Sequence, residues 1–267
     1  MRACILMSVG VAACTAQGPE PAPASSPNEA FGPARQLWGR VHDVADHNRG
    51  MPNIAVSTDR DATTTDILGN FRVAASTSQT LFFVHTEETP WTPVAVHIPA
   101  YPEDTPIWAG LLPLEDTERM LAIAATTSQV SPSFLPEAAY LAVQVHLPNK
   151  VDRVTLDHAD VRVYDPSGAL LPDAYYAQYN ETLSTCLPVR GEQGVARALP
   201  ECNGLAAFPE VPAGVELEVE VEVFDGQTCA RAAEEVLTGE GAPTASFRFV
   251  AEPGHLNVVN MLCHHPN

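Results

Sequence analysis

From Val215 to Val223 apolar and acidic residues alternate without a break. A period of two places Val215, Leu217, Val219, Val221 and Val223 on one face of an extended chain and Glu216, Glu218, Glu220 and Glu222 on the other. One buried face and one wet face is the signature of an antiparallel sheet rather than of a parallel one covered on both sides. The residues before it, Gly204 to Gly214, read as a strand and a Pro/Gly turn feeding this long strand. An earlier stretch, Thr63 to Val73, has the same order of turn and then strand.

Further strand-like runs occur at Leu37 to Val41, Ile54 to Thr58, Phe71 to Ala74, Leu81 to His85 and Val94 to Ile98, with no helical period between Gln36 and Pro99. A second set follows at Ala139 to Leu147, Ala159 to Tyr164, Ser246 to Val250 and His255 to Leu262. Between the two sets Leu114 to Thr126 has helical character: Asp116 or Thr117 is placed to cap it, and Leu114, Thr117, Met120, Leu121 and Ala124 make an apolar stripe. The pattern predicts an all-β chain, two tandem antiparallel β-sandwiches joined by a short helix. The predicted divisions are a leader at 1–13, a Pro/Ala-rich tether at 14–33, a first sandwich at 34–112, a helical connector at 113–136 and a second sandwich at 137–267.

Gly39-Arg-Val41, Asn53-Ile-Ala-Val56 and Thr65-Asp66-x-x-Gly69-x-Phe71 follow in the order and spacing of the carboxypeptidase regulatory-like domain, which the first segment resembles. That resemblance implies a small transthyretin-like, Ig-like sandwich used as an appendage to enzymes rather than as their catalytic part. In such a turn Asp66 bonds the backbone that follows it, Gly69 takes positive φ and Phe71 begins the next strand with a core side chain. In the second segment, Gly204-x-Ala-x-Phe208-Pro-x-Val211-Pro212-x-Gly214 resembles the turn of another transthyretin-like sandwich found in secreted bacterial proteins. A long insertion, Asp173 to Glu201, precedes it.

Candidate chemistry is sparse. Lys150 is the only lysine, which excludes a phosphate-binding Gly-Lys-Ser/Thr loop and a Ser-x-x-Lys nucleophile. The formal charge of -19 disfavours nucleic acid and anionic lipid surfaces. Arg2, the apolar run Ala3 to Ala13 and then Cys14 resemble a bacterial lipoprotein signal, which implies lipidation at Cys14 and a membrane anchor. Thr15 after that cysteine, rather than Asp, implies the outer membrane of the cell envelope.

Export implies oxidising surroundings, so the four remaining cysteines are expected as two disulfides. Three pairings are open, and Cys186 with Cys202 and Cys229 with Cys263 are favoured. No Cys-x-x-Cys supports a metal, and no cofactor is expected. His42 with His47, His85 with Glu88, Asp152 with Asp157, Asp160 and Asp165, and His264 with His265 fit turn, strand-face or terminal positions better than ligand sets. Trp38, Trp91 and Trp108, with Tyr175, Tyr176 and Tyr179, are the candidate ligand-binding residues. The expected function is a non-catalytic, lipid-anchored envelope module that binds or spaces, toward an envelope protein or a glycan. The alternative is a carbohydrate- or peptide-recognition module using those aromatic residues.

Overall fold

The computed structural model describes residues 35–264 apart from 45, 47, 76–79, 86–90, 99–105, 127–128, 147–158, 173, 181–184, 191–204, 225, 232–234 and 236–240. The leader, the tether and Cys14 therefore lie outside the described residues. The first sandwich is built from β1 (Arg35–Asp43), β2 (Ile54–Ser57), β3 (Ala62–Thr64), β4 (Asn70–Ala75), β5 (Thr80–His85), β6 (Val94–His97) and β7 (Ile107–Leu111). β4, β1 and β7 form one three-stranded sheet. Along β1 and β4 burial alternates as the pattern predicts, with Leu37, Val41, Phe71 and Val73 turned inward and Gln36, Trp38, Asn70 and Arg72 outward. β7 was not legible in the pattern; it runs parallel to β1, pairing Gly39 with Ile107 and Arg40 with Trp108.

α1 (Leu114–Ala125) follows, and its buried stripe is Thr117, Leu121 and Ala124, one turn apart in sequence, while Met120 is exposed. The expected side-chain cap is absent. Pro113 holds the cap position, and the Thr117 hydroxyl instead lies 2.6 Å from that of Thr92. Glu115 and Asp116 sit in the first turn, where the helix dipole favours negative charge.

The second sandwich comprises β8 (Ala139–His146), β9 (Ala159–Tyr164), β10 (Tyr175–Asn180), β11 (Thr185–Arg190), β12 (Leu205–Val211), β13 (Glu216–Val223), β14 (Thr228–Cys229), β15 (Thr244–Val250) and β16 (Leu256–His264). β15, β13 and β9 make a second three-stranded sheet, with Leu217, Val219, Val221 and Val223 buried. The segment read as an insertion contributes β10 and β11, which extend a sheet edge. All-β architecture with two sandwiches and one connecting helix is thus what the chain adopts.

The two sandwiches share a wall. A ten-stranded sheet runs β11-β10-β12-β8-β16-β6-β5-β2-β3, with β14 paired to β16 beside it. β16 is parallel to β8 on one side and to β6 on the other, so the last strand joins elements from both halves of the chain. Its two faces serve two cores. Val258 and Leu262 pack with Leu37, Phe71 and Phe83, whereas Val259, Met261 and Cys263 pack with Leu141, Val219 and Phe249. Ala142 and Leu141 of β8 divide in the same way. Each buried Val, Leu or Met side chain contributes about 1.5–3 kcal/mol, so β16 stabilises both cores at once. Residues Pro33–Asn267 accordingly form one compact unit.

Candidate functional site

The outward face of the β4-β1-β7 sheet gathers the most accessible recognition chemistry. Trp38 stands directly opposite Arg72 in the antiparallel β1–β4 register, and the next row places Arg40 between Asn70 and Trp108. Trp38 is 43% exposed, the largest aromatic surface among the described residues. Directly opposed residues of an antiparallel pair stand roughly 5 Å apart at Cβ, so the Trp38 and Arg72 side chains leave the sheet as neighbours on its outward face.

One end of this face is set by the Asp66 turn. The carboxylate accepts the amides of Leu68 at 2.9 Å and Asn70 at 2.8 Å, and the Asn70 side-chain amide at 3.1 Å. Those hydrogen bonds, the Asn70 amide first, hold the Asp66 carboxyl below its ordinary range. Arg40 clamps the same turn, donating through Nε to Leu68 O at 3.0 Å and through Nη2 to Asn48 O at 2.7 Å. Its guanidinium is therefore largely committed to structure. Arg72 is exposed, and its side chain has no hydrogen bond or ion pair with another described residue. Ile67 and Leu68 project from the turn and are exposed.

The remaining predicted residues are placed as follows. Trp91 is half-buried against the first core, its ring 6.1 Å from that of His85, so the three tryptophans are not one platform. Trp108 holds its register position beside Arg40, and its side chain lies outside the described residues. Tyr175 is a correction: it is buried, its side chain turned onto α1, where its hydroxyl donates to Ala124 O at 3.2 Å. The side chains of Tyr176 and Tyr179 on β10 lie outside the described residues.

Cys229 and Cys263 face each other across β14 and β16 and are joined by a disulfide. The Cys186 side chain and Cys202 lie outside the described residues. So do His47, Glu88, Asp152, Asp157 and His265, and among the described residues no group of three or more His, Cys, Asp or Glu could hold a metal ion. Asp160 pairs with Arg162, which also reaches Glu220 at 3.1 Å and Glu222 at 2.9 Å. Asp165 is a turn residue whose carboxylate accepts from Ser167 and Ala169.

One polar cluster was not anticipated. His97 ends β6 with its side chain buried, Nε2 lying 2.8 Å from Asn257 Oδ1 and Nδ1 lying 3.0 Å from Thr80 Oγ1. The Asn257 amide donates to the carbonyls of Tyr140, Glu252 and His255, and its Oδ1 also accepts the Glu252 amide at 2.8 Å. Three carbonyls around Nδ2 fix the amide's orientation, so His97 carries its proton on Nε2 and accepts at Nδ1. Burial pushes the imidazole down to about 4. Its ring lies 4.5 Å from Phe249 of β15. This cluster ties β5, β6, β8, β15 and β16 together; every polar atom on it is spent on the protein itself, which marks it as a joint rather than a reaction site. A histidine in the otherwise apolar run Val94 to Ile98, and asparagines in the apolar strand Leu256 to Cys263, were the available signals.

No family model matches the sequence, nor does any curated protein. Among solved structures, the chain aligns with the Bacillus anthracis TIE protein at 12% identity and a TM-score of 0.25, covering 85% of this chain and 33% of that one. It aligns with the shaft pilin SpaA of Lactobacillus rhamnosus GG at 8% identity and a TM-score of 0.29, covering 88% and 99%. A pilus-presented adhesin aligns at 8% identity and a TM-score of 0.25, covering 86% and 98%.

Proposed function

We propose that the protein is a non-catalytic cell-envelope module, anchored through lipid on Cys14, whose stiff β body presents the Trp38–Arg72 face to a partner in the envelope. The observation that carries this reading is an exposed indole opposite an exposed arginine whose side chain has no partner among the described residues, on an antiparallel strand pair. Four of the buried polar residues support it from the other side. His97, Asn257, Asp160 and Thr117 each bond to neighbouring protein groups. The sandwiches are of the transthyretin-like kind that the Asp66 and Gly214 turns resemble, used as recognition or spacing units. No helix among the described residues is long and apolar enough to cross a membrane, and the anchor is assigned to the leader. Recognition of a carbohydrate or a peptide is the specific form of this reading that the aromatic residue favours.

Two measurements in intact cells test it. A photoreactive side chain at Gln36, which is exposed beside Trp38, is expected to give a discrete adduct that Trp38→Ala abolishes. Labelled fatty acid is expected to enter the wild-type chain and not the Cys14→Ala variant. Turnover of an envelope polymer that is lost in His85→Ala would overturn the non-catalytic reading.

A further inference from the structure

The chemistry of the Trp38 face narrows its ligand, on the reading that this face is the binding surface. The outward positions of β1 and β4 are Gln36, Trp38, Arg40, Asn70, Arg72 and Ala74, and none is acidic. The carboxylates at its ends are occupied. Asp61 accepts the amides of Ala62 and Ala74, and Asp66 accepts those of Leu68 and Asn70. The chain has 33 acidic side chains against 14 basic ones, so an arginine without an acid is unexpected here. Arg49, Arg119, Arg162, Arg231 and Arg248 each pair with a carboxylate, and Arg40 bonds backbone carbonyls. The Arg72 side chain does neither among the described residues.

An indole offers a flat apolar ring and a single N–H donor, and a guanidinium offers donors in a planar fork that matches a carboxylate. Both groups lack acceptors. The ligand must therefore bring a ring of matching size, hydrogen-bond acceptors and a negative charge. We infer that this face binds an acidic carbohydrate, with a pyranose ring laid on the Trp38 indole and its carboxylate paired with the Arg72 guanidinium. The chain's overall negative charge does not oppose this at short range, because charges beyond about 8 Å are screened at physiological ionic strength.

Titration of the full chain with trigalacturonic acid, with neutral galactotriose and with a short glutamate peptide tests the assignment. The acidic sugar is expected to bind about tenfold more tightly than the neutral one, the scale of one charge-assisted bidentate contact. Arg72→Gln is expected to erase that preference while leaving residual binding of both sugars, and Trp38→Ala to remove both. Unchanged melting midpoints will show that these surface variants fold. Equal affinity for the two sugars, an unaltered preference in Arg72→Gln, tighter binding of the glutamate peptide, or no sugar binding each overturns the inference. If no sugar binds but the Gln36 adduct still depends on Trp38, the ligand class alone is wrong; if that adduct is absent too, the binding face itself is wrong.

Discussion

Each sandwich contains the same five-residue turn, and the two copies sit in opposite surroundings. In the first, the Asp66 amide donates to Asn70 O and the Gly69 amide to Asp66 O, both at 2.9 Å, and Gly69 has φ of 81°. In the second, the Asp165 amide donates to Ala169 O and the Gly168 amide to Asp165 O, again at 2.9 Å, with φ of 80° at Gly168. Both aspartates accept the amides two and four residues on. The local chemistry is thus duplicated. The environment is not. A Cβ on Gly69 would lie 2.3 Å from Val41 O and 2.7 Å from Met51 N, whereas one on Gly168 would meet nothing within 4 Å. The first turn is docked on β1, with the Val41 amide donating to Gly69 O at 2.8 Å; the second stands free of its sandwich. Identical turn geometry can therefore do two jobs, passing the chain from β3 in one sheet to β4 in another and fastening it to the core in the first case, and only reversing the chain after β9 in the second.

The largest effect follows from that contrast. Gly69→Ala adds a backbone clash to the cost of a left-handed conformation, and about 4 kcal/mol of destabilisation is expected. Gly168→Ala incurs only the conformational term, about 1 kcal/mol. Denaturant melts of the two variants measure the ratio. Equal losses would mean that the docking of the first turn contributes nothing.

The contrast between lobes holds as a statement about one folding unit only if the shared wall keeps them together, and His97 tests that. Its folded pKa, about 4, lies below the unfolded value of 6.5, so the unfolded chain binds more protons between those limits. The contribution is present above pH 6.5, falls as the pH drops, and is lost below about 4; the full span is roughly 3 kcal/mol. Other groups face this site from the adjoining turn, chiefly Glu252 and His255, whose backbone groups bond Asn257. The measurement is therefore a difference: wild type should lose more stability than His97→Gln between pH 7 and 4. Hydrogen exchange should quicken in β4 and β13 together. Acceleration in one sandwich alone would show that the wall does not couple them.

What could be read from sequence, and what could not, follows the same physics. β13 was legible because one face is wet, and period two therefore shows as alternating valine and glutamate. The Asp66 turn was legible because Asp and Gly have backbone roles that few residues share. β16 was recognised as a strand, but its place was not, since Val258 and Val259 face different cores and an apolar run has no visible period. Its partners β6 and β8 come from distant parts of the chain, which no local pattern records. β7 is short and pairs in parallel with a strand far earlier, so it was missed for the same reason. For the candidate site, residue types were visible and exposure was not: Trp38 is exposed, Trp91 half-buried and Tyr175 buried, although all were read as one class.

The smallest effect gives the sharpest form of the comparison. If the turn's local work is the same in both lobes, removing its carboxylate should cost the same in both, whatever the glycine does. Asp66→Ala loses two backbone acceptor contacts and the Asn70 side-chain contact; Asp165→Ala loses two backbone contacts and the Ser167 hydroxyl, which donates at 2.6 Å. Both carboxyls are held below their ordinary range, Asp66 first by the Asn70 amide and Asp165 first by the Ser167 hydroxyl. Each therefore stabilises the fold above the unfolded carboxylate pKa and ceases to as pH falls through its folded value. Melting midpoints of the two alanine variants at pH 7 should fall by matching amounts, each less than Gly69→Ala produces, and the gap from wild type should narrow as the pH falls below the ordinary carboxylate range. A much larger loss for Asp66→Ala would mean that the carboxylate, and not the glycine's fit against β1, fastens the first turn to its core.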